Sequence, residues 1–173
     1  CRRAPKTPSA RNSASPMLRL SLVTASNRQP EWVDDGADDY AKRLRGRCTL
    51  EIKTVPLARR TATTPAERAI HDEGERMLAA VPQGAHVIAL LETGKPWSTK
   101  ELAAKLEGWM QRGAPVCFLV GGPDGLGPDC VSRANERWSL SNLTLPHGLV
   151  RVVVAEALYR AWSLLENHPY HRA

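Results

Sequence analysis

The chain ends in Asn167-His168-Pro169-Tyr170-His171-Arg172, which gathers two imidazoles, a phenol and a guanidinium before the final alanine. Groups of these types can move a proton, stack on a planar ring and hold an anion. A chain end normally frays, so aromatic and basic side chains concentrated there point toward function rather than packing. Upstream, Glu156 and Arg160 stand four apart on a predicted helix. They add a carboxylate that can accept a proton and another guanidinium, although an ordinary surface ion pair has the same spacing. His147 joins His168, His171 and Glu156 as a candidate proton acceptor. His71 and His86 read as structural, and Trp138 and Trp162 as packing residues.

A second group has the chemistry of a site built from backbone. Gly121-Gly122-Pro123-Asp124-Gly125-Leu126-Gly127 lets main chain approach a ligand closely and offers N–H donors. Its spacing fits neither G-x-x-x-x-G-K-[ST] nor G-x-G-x-x-G, and a tight turn accounts for Gly121-Gly122-Pro123 equally well. Two more loops leave strand ends, Glu92 to Pro96 and Ser141 to Pro146. In open parallel sheets ligands bind beyond the carboxyl ends of the strands, where these three loops would converge.

The elements that must position them alternate between strand and helix. Leu18 to Val23 alternates at period two, and Glu31 to Arg45 sets Trp32, Ala37, Tyr40, Ala41 and Leu44 on one helical face. Leu50 to Val55 is a strand stopped by Pro56, followed by a basic, Thr-rich loop to Thr63 that reads as mobile. Thr64-Pro65-Ala66-Glu67 and Ser98-Thr99-Lys100-Glu101 are capping boxes that open two helices. His86 to Leu91 and Pro115 to Val120 are almost wholly apolar, as strands covered on both faces are. Leu149 to Leu165 carries a last helix whose Val154, Leu158, Ala161 and Leu165 form a stripe suited to a core or a subunit interface. The pattern predicts one α/β domain of about five strands and five helices, a mostly parallel sheet with helices on both faces.

The 173 residues carry a formal charge of +6. Arg2, Arg3, Lys6 and Arg11 account for most of it, leaving 20 Lys and Arg against 18 Asp and Glu from Met17 onward. Any contact with nucleic acid must therefore come from a local patch and not from overall charge. Residues 1–16, rich in Ser, Pro, Ala and Arg, read as a disordered basic leader with Met17 as the functional start and residues 17–173 as the folded domain. No run resembles a secretory signal or a membrane span. Cys1, Cys48, Cys117 and Cys130 show no metal-ligand spacing, so a reduced, cytoplasmic protein without metal is expected.

Five motifs in order carry a resemblance: L-E-T-G-K-P-W from Leu91, L-V-G-G-P-D-G-L from Leu119, W-S-L-S-N-L-T-L-P-H from Trp138, L-V-R-V-V-V-A-E-A-L-Y-R-A-W-S from Leu149, and the terminal N-H-P-Y-H-R. Together they resemble the pseudouridine-N3 methyltransferases of the SPOUT superfamily, over essentially Met17 to Ala173. The first half matches in element order and in the helix around Glu73 to Leu78. The resemblance implies a C-terminal trefoil knot and a homodimer. It also implies methyl transfer from S-adenosylmethionine to N3 of a pseudouridine in 23S rRNA, in the helix 69 region of the assembled ribosome. Carried over by position, the cofactor would be held by Leu91, Gly121, Gly122, Ser141, Asn142, Leu143, Thr144, Leu145 and Pro146. Arg160, Tyr170, His171 and Arg172 would hold the RNA, and the proton acceptor would be sought among His171, His168, Glu156 and His147, with Arg160 beside them. Gly148 departs from the pattern, standing where a second proline is expected, and Arg59-Arg60-Thr61 replaces a more Gly- and Lys-rich loop.

Two other classes meet the same residues. A ribosome-binding or assembly factor could keep the basic tail over a vestigial pocket, and retained cofactor binding separates it from an enzyme. A Cys or Ser hydrolase lacks the G-x-S-x-G elbow.

Overall fold

The computed structural model describes residues 17–61 and 65–172, with backbone alone at 171 and 172. The basic leader, Thr64 of the first capping box, and the side chains of His171 and Arg172 thus lie outside the described residues.

Five parallel strands form one sheet in the order β2-β1-β4-β3-β5, with β1 at Leu18–Ala25, β2 at Cys48–Val55, β3 at His86–Pro96, β4 at Val116–Val120 and β5 at Glu136–Ser139. Continuous apolar strands serve two cores at once. Leu18, Leu20 and Leu22 of β1 and Val116 and Phe118 of β4 enter one core, while Val23, Ala25, Cys117 and Leu119 enter the other. Each successive side chain crosses the sheet. The first core is covered by α1 (Glu31–Arg43), α3 (Thr99–Arg112) and α5 (His147–Leu165), through Tyr40, Leu106, Trp109, Val154 and Leu158. The second is covered by α2 (Ala66–Ala79) and α4 (Pro128–Arg133), through Met77 and Cys130.

Local signals set most boundaries. Ser98 caps α3 with a full capping box to Glu101, and Gly113 ends it in the left-handed region at φ 70°. α2 starts at Ala66 with Pro65 just ahead of it. The first helix stops at Arg43, two residues earlier than its periodicity suggests, because Leu44 is already extended. The short α4 and β5 carried too few residues to show a period. Between Ser139 and His147 the chain is irregular, and Leu140, Leu143 and Leu145 of this segment line a cavity.

Val154, Leu158 and Ala161 are fully buried within the chain, so this part of the α5 stripe serves the chain's own core. Arg151, 4 % exposed, anchors the same helix by donating to Asp34 Oδ1 at 2.8 Å and Ser26 Oγ at 2.6 Å. Among the described residues, no helix is long and apolar enough to cross a membrane.

Candidate functional site

A cavity of about 610 Å³ opens beyond the C-terminal ends of β4 and β5, against the middle of β3. Its size lies in the range of small-molecule sites. Its first wall is an excursion in β3. Trp138 of β5 pairs with both Leu90 and Lys95, so the residues between them leave the ladder, and Leu91, Glu92 and Thr93 line the cavity.

The glycine loop after β4 forms the second wall. It doubles back on itself, with Gly125 N–H donating to Gly122 O at 2.9 Å. A Cβ on Gly121 would lie 2.3 Å from the Gly125 carbonyl carbon, so the loop itself requires glycine there. At Gly122 a Cβ would meet Glu73 Oε2 at 2.6 Å and Leu57 Cδ2 at 3.1 Å. The close approach at Gly122 is thus to the protein's own carboxylate.

The third wall is the segment from Trp138 to Leu145, held by Leu143 N–H donating to Ser141 Oγ at 2.9 Å. Leu143 is 73 % exposed at the rim, an apolar side chain with no protein cover. Leu91, Gly121, Gly122, Ser141, Leu143, Thr144 and Leu145 all line the cavity, whereas Asn142 and Pro146 share the segment without lining it. Leucines beside serine and threonine hydroxyls and a close-lying glycine backbone suit an adenosine-like ligand with one apolar and several polar edges.

His147 closes the floor at the start of α5. Its Nε2 lies 3.1 Å from Thr24 Oγ1. Burial, followed by the charge of Arg151, lowers its pKa from the ordinary value, so the imidazole is neutral at pH 7. Pro146 precedes His147 at the N-cap, and Gly148 lies inside the helix without breaking it.

Behind the glycine loop sits a carboxylate that sequence reasoning passed over. Glu73 is 2 % exposed, and its Oε1 accepts from Ala58 N–H at 2.9 Å and from Arg60 Nη1 at 3.0 Å. Arg60 also donates to Asp124 Oδ2, through Nε at 3.1 Å and Nη2 at 2.7 Å. One guanidinium therefore ties the loop after β2 to α2 and to the glycine loop. The segment around Arg60, expected to be mobile, is pinned. The one available signal was a glutamate directly before Gly74 on the apolar face of α2.

The tail forms a separate cluster. A short 3-10 turn, Pro169–Arg172, folds back on α5 after Asn167 takes a left-handed φ of 53°. Tyr170 Oη donates to Glu156 Oε1 at 3.1 Å and lies 3.4 Å from Tyr40 Oη. Its ring centroid is 4.7 Å from that of Tyr159, and the Arg160 guanidinium lies 5.0 Å from it. Burial, then the Tyr40 and Glu156 contacts, push the Tyr170 phenol above its ordinary pKa. Glu156 Oε1 also accepts from Arg160 Nε at 2.8 Å and Nη2 at 2.6 Å, so the plain ion pair exists and gains Tyr170 as a third member. His168 N–H donates to Ser163 O at 2.8 Å. The tail is thus fastened rather than free. Of the tail cluster, Glu156, Arg160, His168 and Tyr170 do not line the cavity.

The sequence profile described as "Predicted SPOUT methyltransferase" matches residues 18–171. The chain is 51 % identical over 155 residues to ribosomal RNA large subunit methyltransferase H of Methylococcus capsulatus, spanning 90 % of this chain and 100 % of that protein. This chain belongs to the SPOUT methyltransferase family. The protein of the same name from Marinomonas sp. is 50 % identical over the same shares. Solved structures agree in fold. A probable methylase family protein from Haemophilus influenzae superposes with a TM-score of 0.53 at 11 % identity, over 88 % of this chain and 70 % of that one. A probable methyltransferase from Bordetella pertussis gives 0.51 at 15 %, over 83 % and 96 %.

Among the described residues, the thiols of this SPOUT methyltransferase take no part in the cavity or the tail cluster. Cys48, Cys117 and Cys130 are free and buried, and burial pushes all three up, Cys48 to about 12. A thiol held protonated is a poor nucleophile, which weighs against a cysteine hydrolase. Among the described residues no group of three or more His, Cys, Asp or Glu could hold a metal ion.

Proposed function

We propose that this SPOUT methyltransferase methylates N3 of a pseudouridine in 23S rRNA, in the helix 69 region of the assembled ribosome, acting in the cytoplasm as a homodimer. S-adenosylmethionine is the methyl donor. The observation that carries the reading is the cavity in which three loops converge, on a chain half identical to large-subunit rRNA methyltransferases over their whole length. Leu91, Leu143 and Leu145 would flank the adenine, and the Gly121-Gly122 backbone and the hydroxyls of Ser141 and Thr144 would meet its polar edges. The trefoil knot belongs to the same reading.

The cofactor supplies a methyl group on a sulfonium, already a good leaving group. The protein's tasks are then alignment and removal of the N3 proton, since the imide is protonated at neutral pH. His147, neutral through burial, can accept a proton at the cavity floor. Glu156, held by Arg160, is the carboxylate acceptor of the tail cluster, while Tyr170 would stack on a base and Arg160, His171 and Arg172 would hold phosphate.

The homodimer reading rests on where the two clusters sit. Glu156 follows Val150, the last cavity-lining residue of α5, by six residues, roughly 9 Å along a helix axis at 1.5 Å per residue. One chain therefore separates its tail from its own cavity. Between them, Val150, Val153 and Ala157 form a half-buried stripe at helical spacing that starts at the cavity and leads to Arg160. A helix apolar on more than one face calls for cover on each. A second copy packed on that stripe would bring the partner subunit's tail toward this cavity.

The test is transfer of labelled methyl from S-adenosylmethionine to ribosomes, subunits and free 23S rRNA, with the modified position mapped. Methylation of ribosomes at a helix 69 pseudouridine is expected. Residues 1–16 are dispensable for catalysis in this reading, and their removal leaves the rate unchanged. Deleting Tyr170 to Ala173 leaves cofactor binding nearly intact and removes most methylation. Cofactor binding without transfer to any RNA would favour the assembly-factor reading.

A further inference from the structure

We propose that the cleft between the loop after β2 and helix α2 is a second RNA contact, an anion-binding surface that grips the phosphodiester backbone of the substrate while the target base occupies the cofactor cavity. This rests on the RNA-methyltransferase reading above and adds a surface to it.

The cleft has a volume of about 680 Å³ and is lined by Pro56, Leu57 and Pro65, by Arg59, Arg68 and Arg76, and by a single carboxylate, Asp72. Arg68, Asp72 and Arg76 recur every fourth residue and so share one face of α2. Arg76 directs Nη1 to Pro56 O at 2.9 Å, which fixes it at the wall. Among the described residues neither the Arg59 nor the Arg68 guanidinium has an ion-pair or hydrogen-bond partner, and both residues are exposed. Their neighbour Arg60 is the contrast, since both Glu73 and Asp124 pair with it. Residues from Met17 onward are nearly neutral, so three guanidiniums against one carboxylate are a local excess.

Three features select the occupant. Guanidinium forks match phosphate oxygens. Arg68 and Arg76 stand eight residues apart on α2, roughly 12 Å along a helix axis at 1.5 Å per residue, a spacing that favours a chain of phosphates over a free ion. Its position agrees, because Pro56 and Leu57 follow the C-terminal end of β2 as Gly121 follows that of β4. The two mouths therefore open at the same end of the sheet, joined by the Arg60–Asp124 pair. A strand whose base enters the cavity can continue across the cleft.

The experiment uses the full chain with Arg59→Ala and Arg68→Ala combined, beside Arg112→Ala on α3 across the sheet as control. Three readouts are taken: calorimetric affinity for S-adenosylhomocysteine, KM and kcat for ribosome methylation across a potassium chloride series, and binding of a 23S rRNA fragment spanning helix 69. Expected are unchanged cofactor affinity and kcat, a raised KM, weaker fragment binding, and a salt dependence flatter by roughly 1.4–1.8 log units per log unit of salt for two lost phosphate contacts. Arg112→Ala should match the unsubstituted chain in all three. Unchanged KM, fragment affinity and salt slope would overturn the proposal. So would a defect confined to intact ribosomal particles with fragment binding preserved, which would assign the cleft to an acidic protein. If the unsubstituted chain methylates no RNA, the RNA-methyltransferase reading fails, and the fragment measurement alone decides the cleft.

Discussion

Tyr170 Oη donates to Glu156 Oε1 across 3.1 Å, fastening the last turn of the chain to a carboxylate fourteen positions earlier on α5. Glu156 thereby has two anchors, Tyr170 and Arg160. Tyr170→Phe removes the hydroxyl's contacts with both Glu156 and Tyr40 and should cost about 0.5–1.5 kcal/mol per hydrogen bond in denaturant unfolding. It keeps the ring, so methylation should survive, whereas Tyr170→Ala should lose most of it. The raised phenol pKa adds a pH test. A group protonated more tightly when folded contributes stability that is complete below its unfolded value near 10 and is lost as pH rises beyond it. Unfolding above pH 10 should therefore be steeper for the unsubstituted chain than for Tyr170→Phe.

Glu73 and Gly122 should be coupled. Gly122→Ala sets a Cβ against Glu73 Oε2 and should weaken S-adenosylmethionine binding and stability together. Glu73→Ala leaves Ala58 N–H without its acceptor, a loss of about 1–3 kcal/mol. It also makes room for the new methyl. The double variant should therefore be less destabilised than the two singles added, by roughly 0.5–3 kcal/mol in a denaturation cycle. Simple additivity would show that the carboxylate is not what Gly122 avoids.

His147 should make the protein less stable in mild acid. Burial disfavours the imidazolium, so below the ordinary value near 6.5 the unfolded chain takes up a proton that the folded chain resists. The stabilisation is present above that pH and is lost as pH falls through the lowered folded value. Following the His147 ring by NMR should show titration below 6.5, and His147→Gln should flatten the fall in stability between pH 7 and 5.

Two positions on α5 would separate the core from the proposed dimer interface. Leu158 is fully buried, and Leu158→Glu should prevent folding because the charge has no partner. Val153 is half-buried on the stripe leading from the cavity. Val153→Glu should remain folded by circular dichroism yet sediment as a monomer, with little methylation. A monomeric unsubstituted chain at micromolar concentration would remove the dimer from the reading.

Sequence alone determined the alternation of strands and helices, the two buried strands His86 to Leu91 and Pro115 to Val120, the Ser98 capping box and the segments that wall the cavity. These are local matters: periodicity, caps and glycine runs act over a few residues, and a parallel sheet sends its loops to one end. Tertiary structure decided the rest. Glu73 reads as one more acid on a helix until folding sets it beside Ala58, Arg60 and Gly122, contacts that no short window contains. The excursion of β3 at Leu91 depends on Trp138 pairing twice, forty-odd residues away. Tyr170 looked like a free end, and its pairing with Tyr40 joins residues 130 positions apart. The separation of the tail from the cavity follows from the rigid rise of α5, which fixes a distance that the order of residues leaves unstated.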